Sequence, residues 1–199
     1  MSYNGKFSEI LEAAFKYSYL NLLWIVFSIP LVTIVPATVA VQGVIKEWSA
    51  GNELPITTTF WSNFKGNLTR GISVSLLQFF VILVLVGDFF VMMNLTSEWK
   101  ILAVAIICLF LFFYLMMTVY LHPLMIDFEM TFRQLLRNAF FLAASQPFVA
   151  ILNLVIIGCL LIISCLFPFL FFICSFSVSI MINYRLSKLI FRKVEKVTV

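Results

Sequence analysis

The chain has 199 residues, 63% hydrophobic and 11% charged, where soluble domains carry about 25% charged residues. A water-soluble globule is excluded. The net charge of +4 comes from basic residues that flank apolar stretches, so it reads as topology information and gives no reason to expect a nucleic-acid partner. The longest polar stretch is Lys46 to Arg70, which leaves no room for a second, soluble domain.

Taken from the N-terminus, Phe7, Ile10, Leu11, Ala14, Phe15 and Ser18 recur at helical spacing opposite Lys6, Glu9, Ala13 and Lys16. This predicts an amphipathic interfacial helix over 6–19. A first span follows over 20–45. It contains Pro30 and Pro36, each of which removes a backbone donor and disfavours helix just before it, so a structural break is expected there. Small residues at Thr38-Val39-Ala40 resemble a signal-peptidase site, but the apolar stretch before them is too long and Glu9 and Glu12 replace the usual basic start. Retention in the membrane is the expectation.

In the polar loop, Ile56, Phe60, Phe64 and Leu68, with Trp61, line one side of a short interfacial helix. The second span is expected over 72–93, interrupted only by Asp88, and the third over 101–121 after a tight connector. Thr131 and Gln134 have the spacing of a capping box that opens another amphipathic helix, closed by Gln146-Pro147.

From Asn138 to Tyr184 there are 47 residues without a charged side chain. One helix of that length would run roughly 70 Å, against a hydrocarbon core of roughly 30 Å. The run therefore crosses twice, over 148–166 and 169–184, turning at Phe167-Pro168. A basic tail, 185–199, closes the chain. The expected architecture is all-α: a single-domain polytopic integral membrane helix bundle of about five transmembrane helices plus short amphipathic interfacial helices.

Five crossings with the tail in the cytoplasm put ten of the thirteen basic residues inside and only Lys6, Lys16 and Lys100 outside. On that count the C-terminus is cytoplasmic and the N-terminus outside. A rival arrangement makes segment 20–45 re-entrant at Pro30–Pro36, which brings the N-terminus inside and leaves Lys100 alone outside; re-entrant backbone needs cover from protein or water.

Few side chains invite chemistry. Asp88 is the one charge within a span, a functional candidate by default, although it lies near the outer headgroups where a spectator carboxylate is cheap. His122, the only histidine, precedes Pro123 at the inner end of span three. It reads either as a pH switch or as an interfacial cap. Asn153, with Asn21, Gln78 and Asn183, reads as a helix-to-helix hydrogen-bonding group. Asp127 and Glu129 point different ways on a helix and make a poor metal pair. Cys108, Cys159, Cys165 and Cys174 lie in apolar segments without ligand partners and read as packing residues. There is no Ser-His-Asp order, no glycine-rich phosphate loop and no paired intramembrane carboxylates. An enzyme is not expected, nor a cofactor or metal.

Several segments together resemble the YesL-like family of small bacterial membrane proteins: Asn21-Leu-Leu-Trp24, the run from Pro30 to Ala40 with its Pro-Ala-Thr element, Phe60-Trp61 with Phe64-Lys65, Tyr120-Leu-His-Pro-Leu124, and Arg137-Asn-Ala-Phe140. Where the family usually has Gly before that proline, this chain has Val35. The resemblance implies a multi-pass protein of the Gram-positive cell membrane. Members are commonly encoded beside sugar importers and polysaccharide-degrading enzymes, and no functional residues are defined for them. The resulting expectation is a non-enzymatic accessory or regulatory subunit of a carbohydrate (ABC-type) importer. Its partners would be the lipid bilayer and the importer's permease subunits, or a second copy of itself. The alternative is a small autonomous transporter or channel for a small solute or ion.

Overall fold

The structure is a computed structural model that describes residues 3–94, 100–167 and 176–198. Among them there is helix and no strand. The helices are α1 (Tyr3–Ser28), α2 (Ile34–Ser49), α3 (Ile56–Gly66), α4 (Leu68–Asn94), α5 (Lys100–Asp127), α6 (Phe132–Ser145), α7 (Pro147–Leu166) and α8 (Phe176–Thr198), with a 3-10 turn at Leu31–Thr33. The all-α expectation is borne out. Among the described residues four stretches are long and apolar enough to cross a membrane: Leu31–Ser49, Leu68–Met92, Lys100–Asp127 and Pro147–Leu166. Of the expected fifth span, 169–184, the part 169–175 falls outside the described residues while 176–184 opens α8; the turn beyond Phe167, the connector after Asn94, and Cys174 also lie outside them.

The first segment departs from the single crossing expected over 20–45. α1 runs without interruption from the amphipathic segment to Ser28, and the break falls at Ile29-Pro30. Thr33 closes it: its hydroxyl donates to the carbonyls of Phe27 and Pro30, both at 2.7 Å, and its N–H to Pro30 at 2.8 Å. The Phe27 carbonyl, at the end of α1, would otherwise lack a donor. Pro36 does not break the chain. It lies in the first turn of α2, where a missing N–H costs nothing.

α2 then returns alongside α1. Trp24 Nε1 donates to Thr38 Oγ1 at 3.1 Å near the tip of the pair, while the Tyr17 and Trp48 rings pack edge-on at 5.4 Å and Lys16 lies 3.7 Å from Glu53 at its base. The open ends of α1 and α2 therefore lie at one end of the pair, and 20–45 folds back on itself as an antiparallel helical hairpin. Val35 through Ile45 are all buried by the surrounding helices.

The tip of this hairpin meets α4 near its start. The Val35 N–H, one of the free donors of α2's first turn, donates to Ser75 Oγ at 3.3 Å. A Cβ on Gly71 would lie 2.5 Å from the ring of Pro36, so only glycine permits that approach. Beyond this level α4 runs on for residues 76–94, about 28 Å of helix. Its side chains there, and those of the facing part of α5, are mostly exposed: Phe79, Phe80, Leu83, Phe89, Phe110 and Phe113 are examples. Exposed apolar surfaces of this kind suit helices long and apolar enough to cross a membrane.

At the hairpin's base, Lys46 Nζ of α2 lies 2.9 Å from Asp127 Oδ1 and donates to the Ile126 carbonyl at 3.0 Å. The Tyr184 hydroxyl of α8 donates to the same carboxylate oxygen at 3.1 Å. α3 packs Phe60 and Phe64 against Phe27 of α1, with ring centroids 5.3 and 5.1 Å apart. The expected capping box forms at α6, with the Thr131 N–H donating to Gln134 Oε1 at 3.0 Å. α6 buries Leu135, Ala139 and Ala143 and exposes Phe140 and Phe141.

Candidate functional site

α5 does not end at His122, as the sequence suggests. It passes through Pro123 to Asp127. A proline has no N–H, so the carbonyl four residues earlier, that of Val119, loses its helical donor. Asn183 of α8 supplies the replacement, its Nδ2 donating to Val119 O at 3.2 Å. The amide is thereby held by its nitrogen, and its Oδ1 is left without a donor.

Asn183 is one of the residues that line a cavity of about 290 Å³ between the hairpin tip and the long apolar helices. Trp24, Thr38 and Gln42 come from the hairpin, Gln78 from α4, His122 from α5, Leu160 and Ser164 from α7, and Phe176 and Asn183 from α8. Its walls are chiefly apolar. The Trp24 and Phe176 rings stack with centroids 3.4 Å apart and form an aromatic plate. Thr38 and Ser164 spend their hydroxyls on the carbonyls of Ile34 and Leu160, at 2.8 and 2.7 Å. Three side-chain atoms of the lining residues are fully buried and without a hydrogen-bond partner: Gln42 Oε1, His122 Nε2 and Asn183 Oδ1. No lining residue is Asp, Glu, Lys or Arg.

The sequence-predicted residues scatter around this cavity. His122 lines it and is not a cap at a helix end. Asn153 is fully buried on α7 with neither amide atom bonded, and lies off the cavity. Asp88 is partly exposed on α4 and also lies off the cavity. Pro30 and Pro36 shape the hairpin tip and do not line this cavity. Gln42 and Trp24 were not foreseen as site residues. The one signal for Gln42 was an amide alone within the apolar run from Ile34 to Ile45. Among the described residues no group of His, Cys, Asp or Glu could hold a metal. Cys108, Cys159 and Cys165 are free and exposed.

Residues 17–89, from mid-α1 almost to the end of α4, match the family described as "Protein of unknown function, DUF624". The chain is 29% identical over 142 residues to "Uncharacterized protein YesL" of Bacillus subtilis (strain 168), covering 69% of this chain and 66% of YesL. It is 27% identical over 129 residues to "Uncharacterized protein YteU" of the same strain, covering 63% of this chain and 58% of YteU. "Uncharacterized protein YesV" is 25% identical over 153 residues, 74% of this chain and 72% of YesV. The resemblance to the YesL-like family is borne out. The matched part thus spans a little under two thirds of the length of YesL and rather less of YteU. No solved structure matches the chain. The family match covers the hairpin, α3 and most of α4, so it includes Trp24, Thr38, Gln42 and Gln78 of the cavity lining.

Proposed function

We propose that this chain is a non-enzymatic, multi-pass membrane protein that serves as an accessory or regulatory subunit docked on the membrane permeases of a carbohydrate importer. The observation that carries the reading is the outer part of the α4–α5 pair. There, apolar side chains stand exposed on every side of both helices, among them Phe80, Ile82, Leu83, Ile101, Leu102 and Ile106. Two helices with so little of this chain packed round them offer a broad surface to other intramembrane helices as well as to lipid. The family resemblance supports the choice of partner, because members are commonly encoded beside sugar importers.

In this reading the face that carries Lys46, Arg70, Arg133, Arg137 and Arg185 is cytoplasmic, and both ends of the chain lie on it, in the plasma membrane of a Gram-positive bacterium. Purification of the tagged protein from its native membrane, with identification of what co-elutes, tests the docking. Permease subunits are expected in the eluate, and sugar uptake is expected to fall in a deletion strain. Recovery of the protein alone, together with normal uptake in the deletion strain, would sink the reading.

The cavity favours a second reading, a small autonomous transporter. That reading expects uptake of a small solute into vesicles that hold this protein and no other. Tight vesicles without uptake would count against it.

A further inference from the structure

We infer that the outward face of α6 binds an anionic phospholipid, with Arg133 and Arg137 on the phosphate and Phe140 and Phe141 against the acyl chains. The inference is independent of the importer reading and needs only a bilayer around the chain.

Three observations carry it. The first is the stripe itself. Arg133, Arg137, Phe140, Phe141 and Ala144 are all exposed, and their spacing puts them on one side of the helix. Leu135, Ala139 and Ala143, on the opposite side, are the residues α6 buries in the core. Phe140 and Phe141 are 55% and 60% exposed, so two large rings and two cations share a face that the described residues leave open.

The second is unanswered charge. Arg133 and Arg137 stand one turn apart, and like charges at that spacing repel. Among the described residues neither makes a hydrogen bond or an ion pair. Glu129, the acid nearest to them in sequence, is exposed and pairs with neither. Arg70 brings a further positive charge to the start of α6, where it donates to the Met130 carbonyl at 3.4 Å. A phosphate held between Arg133 and Arg137 removes their repulsion, and planar guanidinium forks match its oxygens.

The third is depth. α6 begins at the charged end of α5, where Lys46 meets Asp127. Its far end lies higher on α5, because the Tyr120 hydroxyl donates to the Gln146 carbonyl at 2.8 Å. Tyr120 precedes Asp127 by seven residues, about 10 Å of helix. α6 therefore slopes from the charged end toward the apolar part of the bundle. Its arginines come first, at the level of lipid headgroups, and its phenylalanines follow about 10 Å further along the helix, at the level of the chains. A free phosphate or an acidic peptide would answer the arginines and leave the two rings bare. An anionic lipid answers both.

The test follows thermal unfolding of the full chain in an uncharged detergent. Dioctanoyl phosphatidylglycerol is titrated beside dioctanoyl phosphatidylcholine and inorganic phosphate. A saturable rise in unfolding temperature is expected with phosphatidylglycerol, and little or none with the other two. Arg133→Gln combined with Arg137→Gln is expected to fold normally, since both side chains are exposed, and to weaken the apparent affinity about thirtyfold, the effect of two basic residues at an anionic surface. Lys65→Gln combined with Arg185→Gln removes two exposed charges from elsewhere and is expected to leave the response close to wild type. Phe140→Ala combined with Phe141→Ala keeps the charges and is expected to weaken the lipid about threefold or more through lost apolar contact. The inference is overturned if phosphatidylglycerol gives no saturable rise, or if phosphatidylcholine or inorganic phosphate gives an equal one. It is equally overturned if the arginine or the phenylalanine variant responds like the wild type, or if the Lys65 and Arg185 variant loses as much as the arginine one.

Discussion

Asn183 hydrogen-bonds the carbonyl of Val119 at 3.2 Å, the carbonyl that Pro123 deprives of its helical donor within α5. The polar side chain of one helix thus repairs the backbone of another. If that is its role, Asn183→Leu costs about 1–3 kcal/mol, the usual loss for a stranded buried acceptor. Restoring the backbone donor with Pro123→Ala should make the same substitution nearly neutral. A double-mutant cycle on unfolding in detergent measures this, and additive effects of the two changes would refute the repair.

Asp127 accepts from both Lys46 and Tyr184, and its side chain is 14% exposed against 37% for that of Lys46. Asp127→Ala removes both the Tyr184 hydrogen bond and the Lys46 ion pair from this corner and should cost about 1–3 kcal/mol. Lys46→Met removes a partly solvated charge and should cost about 1 kcal/mol or less. Equal losses for the two would show that the ion pair, and not the tyrosine bond, dominates this corner.

Gly71 faces the Pro36 ring at a distance that no Cβ tolerates, and the backbone nitrogen of Pro36 is also within 2.9 Å. A rigid ring and backbone cannot step aside, so Gly71→Ala should lower stability by about 1–3 kcal/mol through overpacking. At Gly43 the obstacle is the side chain of Asn63, which is free to rotate once it gives up its bond to the Thr59 carbonyl. Gly43→Ala should therefore be the milder change. Unfolding temperatures of the two variants, compared side by side, settle the order.

Asn153 is buried on α7 and neither of its amide atoms is bonded. Asn153→Leu, of similar volume, removes both orphans and should leave stability unchanged or raise it by about 1–3 kcal/mol. A clear drop in unfolding temperature would instead mean that the amide holds a bound water or ligand.

The hairpin geometry places the start of α1 on the same face as Lys46. Single cysteines introduced near each end, in a background with the four native cysteines replaced, should be labelled by an impermeant reagent from the same side of the membrane. Labelling from opposite sides would restore the five-crossing arrangement.

Sequence alone determined what depends on local pattern. Low charge and a 47-residue uncharged run compelled a helical membrane protein, and turn and cap chemistry located α3, the capping box of α6 and the start of α7 at Pro147. The route of 20–45 was not decided locally, because an apolar stretch reads the same whether lipid or protein covers it. The charge count allowed both routes, and only the packing of α2 against α1, α3, α4 and α5 selected the hairpin. Pro30 and Pro36 look alike in sequence, yet one lies in the break and the other in a first helical turn, a distinction set by where the free N–H of Val35 finds Ser75. The cavity was equally hidden. Gln42, His122 and Asn183 are far apart in the chain, and nothing in their neighbours tells a satisfied amide from an orphaned one. Which polar atom is left over depends on which others have been used, and that is settled only when the helices pack.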